Sequence, residues 1–67
     1  MIDQKISALK RMYNAQIDWY KAEVQNYLDN PVAVGEHGNL LETMDSLVAK
    51  IAEAEDRLIV LETHFSE

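Results

Sequence analysis

The sequence predicts an all-α protein: an antiparallel two-helix hairpin of coiled-coil character. Three observations predict it. Two long stretches repeat apolar residues every three or four positions. A single Asn-Pro step followed by a glycine-containing segment separates them. The two apolar seams match when the chain is folded back on itself.

The first helix is expected over about residues 3–29, a span without Gly or Pro. Ile2, Ile6, Leu9, Tyr13, Ile17, Tyr20, Val24 and Leu28 follow helical spacing, which a strand cannot reproduce. Asp3 suits the N-cap or the first turn, where a carboxylate meets unpaired backbone N–H groups. Asn30-Pro31 ends the helix, because the residue before a proline is forced out of the α region.

The connection is expected over 30–39. Gly35 and Gly38 supply the conformational freedom a reversal needs, and Val32 or Val34 is expected to fold over the open end of the pair. The second helix is expected over about 40–65. Asn39 and Glu42 resemble a capping box, and Leu40, Met44, Leu47, Ile51, Ala54, Leu58, Leu61 and Phe65 form an unbroken heptad seam. Folding at the connection sets residue i near roughly 69 − i for helices that each rise 1.5 Å per residue. From Val24 near Met44 to Ile2 near Phe65 every pair is then apolar, and bulky Tyr13 falls opposite small Ala54. The whole chain, 1–67, is read as a single helical-hairpin domain.

The 67 residues include no cysteine, so neither disulfides nor zinc–thiolate chemistry can supplement the core. A core in a chain this short rarely supplies more than about 3–5 kcal/mol. Helix 1 also carries a second apolar stripe, Ala8, Met12, Ala15, Trp19 and Ala22, roughly 130° around the helix from the first. Helix 2 has flanking Leu41, Val48, Ala52 and Ile59. A lone hairpin leaves Met12, Trp19 and Ile59 in water, and contiguous exposed apolar surface marks interfaces. The expectation is a homodimer in which two hairpins form a four-helix bundle, with Ala8, Met12, Ala15, Trp19, Ala22 and Ile59 at the interface. The competing readings are a different protein partner, or a monomer in which Trp19 folds over the hairpin's own edge.

The net charge is −6, and it all resides after residue 30, where eight acids face two bases. This argues against direct nucleic-acid binding, which needs Lys and Arg to neutralise phosphates. No apolar run reaches a membrane span and no secretory leader pattern is visible, so a cytoplasmic location, in a host cell's cytoplasm if the chain is viral, is expected.

Candidate chemistry is sparse. Glu36-His37, between the two glycines, is the most site-like feature, since His and Glu are metal ligands and acid–base groups. Two adjacent ligands do not make a metal site, and a loop turn or a capping contact to the second helix is the better reading. A small metal or ligand site across a dimer is the sharper alternative. His64 suits the negative end of the second helix. Glu53, Glu55, Asp56 and Glu62 lack the Glu-x-x-His spacing of di-iron bundles, and Glu55 is expected near Lys10, Arg11 and Tyr13. Tyr13, Tyr20, Tyr27 and Trp19 lack the interleaved bases of a stacking platform and read as packing residues. With no phosphate loop or nucleophile motif, no enzyme activity and no cofactor are expected.

Two stretches, Asn30-Pro31-Val32-Ala33-Val34-Gly35-Glu36-His37 and Ile51-Ala52-Glu53-Ala54-Glu55-Asp56-Arg57-Leu58, resemble small uncharacterised helical proteins of tailed phages, particularly marine cyanobacterial myoviruses. Ala33 and Gly38 depart from that pattern, which has Gly and Pro there. The resemblance implies a viral accessory or assembly role and carries over no functional residues. The leading expectation is therefore a non-enzymatic interaction module. An acidic regulator that occupies a basic surface of another protein is the alternative.

Overall fold

The computed structural model describes residues 3–30 and 40–66. They form two helices, α1 (Gln4–Asp29) and α2 (Leu40–Phe65). Glu36-His37, Asn39, the two glycines and Val32 and Val34 lie outside the described residues, as do Ile2 and Pro31.

α1 begins where its capping chemistry puts it. Asp3 is extended (φ −65°, ψ 131°), and its carboxylate accepts from the Lys5 N–H at 2.7 Å. At the other end the Asn30 N–H donates to the Asn26 carbonyl at 2.9 Å, closing the last turn. The Asn30 side-chain amide also reaches the Asn26 side-chain oxygen at 3.3 Å. α2 carries Glu42 in its first turn, where a carboxylate complements the helix dipole, and His64 in its last.

The helices pack antiparallel. Tyr13 meets Arg57, while Tyr20, further along α1, meets the earlier Lys50. Both pairs add to 70, one more than the register expected from the loop. The hairpin is a rod of 50 × 14 × 13 Å.

The core is one layer deep. Among the described residues, only Leu47, Ala54 and Leu61 are buried, at 7%, 3% and 7% exposure. They sit seven residues apart on α2, where two turns bring each nearly onto the azimuth of the last. Leu40, Met44, Ile51 and Leu58 are half-buried beside them, facing Ile6, Leu9, Tyr13, Ile17, Tyr20 and Val24 of α1.

Two seam positions come out differently. Leu28 is 59% exposed, and Tyr27 takes the seam position instead. From Tyr20, the two successive steps of four to Val24 and Leu28 swing Leu28 about 80° off the contact line, whereas Tyr27 lies only about 20° from it. Phe65 is also 59% exposed, at the last turn of α2. Its expected partner Ile2 lies outside the described residues, and its ring meets His64 edge-on at 6.3 Å between centroids.

The heptad layer sets two expectations for denaturation followed by far-ultraviolet circular dichroism at fixed protein concentration. Leu47→Ala should cost about 2–4 kcal/mol as a cavity, whereas Leu41→Ala, on open surface, should stay within about 0.5 kcal/mol. Ala54→Leu should cost about 1–3 kcal/mol, because Ala54 is already buried and a larger side chain must displace the residues packed around it.

Candidate interaction surface

The side chains that decorate this rod explain which faces are used within the hairpin and which are left over. The two bases of α2 both reach across to tyrosines of α1. The Lys50 ammonium lies 5.6 Å from the centre of the Tyr20 ring, and the Arg57 guanidinium lies 6.0 Å from that of Tyr13. Each contact joins a ring face to a cation and is worth about 0.5–1 kcal/mol at such an exposed site. Arg57 also pairs with Glu53 one turn back. Both cations therefore lie on one flank of the seam, lining a groove with Gln16, Tyr20, Glu53 and Ala54.

The opposite flank carries a different bridge. Lys10 pairs with Glu62 at 2.8 Å. This corrects the expectation that Glu55 would meet Lys10: in the observed register Lys10 lies opposite residue 60, so Glu62, two residues away, is nearer than Glu55, five residues away, and Glu55 stays exposed.

The predicted interface residues are all exposed. Met12, Trp19 and Ile59 are 45%, 67% and 62% exposed, so Trp19 does not fold over the edge of its own hairpin. Four of the six come together. Met12, Ala15 and Trp19, with Gln16 and Tyr20, line a shallow apolar hollow. On the other side of the indole, Trp19, Ala22, Glu23, Asn26 and Tyr27 line a second hollow. Ala8 extends the same stripe one turn towards the N-terminus.

Ile59 does not join them. Gln16 and Tyr20 border both the Trp19 hollow and the groove of Arg57, so Arg57 marks the Trp19 side of the hairpin. Ile59 is two residues further along α2, about 200° around the helix, and it shares its face with Glu62. The hairpin thus carries two separate apolar faces: Met12 and Trp19 on one side, and exposed Leu41, Val48 and Ile59 on the other. The wheel angles already contained this separation, but only the antiparallel direction of α2 converts them into sides of the molecule.

What this surface offers is contact area and charge. Among the described residues, no three His, Asp or Glu side chains gather as a metal site, and no buried polar side-chain atom lacks a hydrogen-bond partner. No described helix is long and apolar enough to cross a membrane. No family model, curated protein or solved structure matches the chain.

The cation–ring contacts can be measured directly. Arg57→Gln should lower stability by about 1 kcal/mol in the presence of Tyr13. With Tyr13→Leu already in place the same change should cost less, a coupling of about 0.5–1 kcal/mol in a double-mutant cycle.

Proposed function

We propose that this protein is a non-enzymatic interaction and assembly module, a helical hairpin that associates with a second copy of itself through the outer face of α1. The observation that carries the reading is the exposed stripe of Met12 and Trp19, interleaved with Ala8, Ala15 and Ala22 and hollowed on both sides of the indole. Small residues beside large ones let two helix backbones approach closely while the large side chains fill the gaps.

The stripe stands about 130° from the α1–α2 seam, wider than the right angle of a square bundle. Two hairpins joined through it meet chiefly along α1, with the two copies of α2 on the outside. That arrangement also keeps the acidic helices apart. α2 carries six acids and two bases between residues 40 and 65, so α2 against α2 would oppose like charges. A structural or accessory role in a phage assembly agrees with the resemblance of the Asn30–His37 and Ile51–Leu58 stretches.

Size-exclusion chromatography with light scattering tests the reading. The wild-type chain should run as a dimer, with Trp19 emission shifted to the blue of a solvent-exposed indole. Trp19→Asp and Met12→Asp should each dissociate it and lower its melting temperature, while Ile59→Asp, on the other side, should leave it assembled. A wild-type monomer with a water-quenched Trp19 would remove the basis of the proposal.

A second reading is favoured by the exposed acids Asp45, Glu53, Glu55, Asp56 and Glu62, which suit binding to a basic surface of another protein. Such binding should weaken markedly between about 0.05 and 0.5 M salt, because exposed charges are screened over a Debye length. A pull-down insensitive to salt argues against it.

A further inference from the structure

We infer that the two α1 helices pack antiparallel, about a two-fold axis between residues 13 and 14, so that each bulky residue of the stripe seats on an alanine of the partner copy. The inference rests on the self-association reading and adds its geometry.

The stripe alternates large and small in an order that fits itself only when reversed. With residue i opposite roughly 27 − i, in a heptad stripe that repeats every two turns, Trp19 faces Ala8 of the second copy and Met12 faces Ala15. The hollow over Ala15, walled by Met12 and Trp19, is then the seat of the incoming methionine. In a parallel, in-register pair, Trp19 would meet Trp19 and Met12 would meet Met12. The helices would be held apart at those layers, with voids left at Ala8, Ala15 and Ala22.

Charge points the same way. Beside the stripe, the N-terminal part of α1 carries Lys5 and Arg11, whereas Asp18 and Glu23 lie beyond its midpoint; Lys10 is engaged by Glu62, and Lys21 sits about 140° from the stripe. Arg11 and Asp18 are heptad-equivalent positions flanking the stripe, and reversal brings Arg11 of each copy to Asp18 of the other. The hollow over Ala22 receives the aliphatic stem of Lys5, with its ammonium at Glu23, a residue that lines that hollow. A parallel pair would instead set Asp18 beside Glu23 of the partner, like against like.

The two arrangements predict opposite signs for one substitution. In the antiparallel dimer, Asp18→Arg faces Arg11 and should weaken association about tenfold, as should Arg11→Asp, since two attractive pairs become repulsive. An equimolar mixture of the two variants should recover wild-type affinity as a heterodimer. In a parallel dimer, Asp18→Arg would face Glu23 and strengthen association.

The chain has no cysteine, so a single spin label at Gln4→Cys provides an independent distance. The antiparallel register separates the two labels by about 28 Å along the axis, and a parallel pair brings them within about 15 Å. Light scattering on the unsubstituted chain is run alongside. A monomer there sinks the self-association reading itself. A dimer that Asp18→Arg leaves unchanged or tightens, or whose labels lie close together, overturns the antiparallel register and leaves self-association standing.

Discussion

Two α-helices touch along a single line, and that line can hide one stripe of each. Every other feature of this hairpin follows from the limit. The layer built from Leu47, Ala54 and Leu61 is as deep as a two-helix core can become, and even the α1 residues that cover it remain half-exposed. Whatever apolar surface the chain carries beyond one stripe per helix stays in contact with water until another molecule covers it.

Electrostatics is distributed to suit that geometry. The two cations of α2 bridge to the tyrosines of α1, and Lys10 of α1 bridges back to Glu62, so each flank of the seam is tied by a charged side chain. These contacts are individually small, at the scale of exposed ion pairs and ring contacts. Their effect is to hold the register of a seam whose α1 side drifts, since its steps of four outnumber its steps of three. They also leave the remaining surface of α2 to its acids, while the outer face of α1 keeps both signs in separate segments.

How much could be read from the residues varies along the chain. Both helices, their limits and the seam were legible, because apolar spacing over 26 residues admits no other periodic structure and because Asp3 and Asn30 mark the ends of α1 chemically. The places where reading failed are those where one dimension is insufficient. Leu28 looked like a seam residue by spacing alone, but two consecutive steps of four rotate it out of the contact and bring Tyr27 in. Glu55 looked like the partner of Lys10, but the register of the packed helices sets Lys10 opposite residue 60, closer to Glu62 than to Glu55.

The amino-acid sequence by itself determined the two helices, the heptad layer that joins them and the existence of more apolar surface than the pair can cover. These are properties of periodicity along one helix, and 100° per residue suffices to work them out. Only the tertiary structure decided which leftover residues belong together. Ile59 and Trp19 both lie off the seam, but α2 runs opposite to α1, and reversal of direction reverses the sense in which azimuth maps onto the sides of the hairpin. That places Trp19 with Met12, Ala15 and Ala22 on one face and Ile59 on the other.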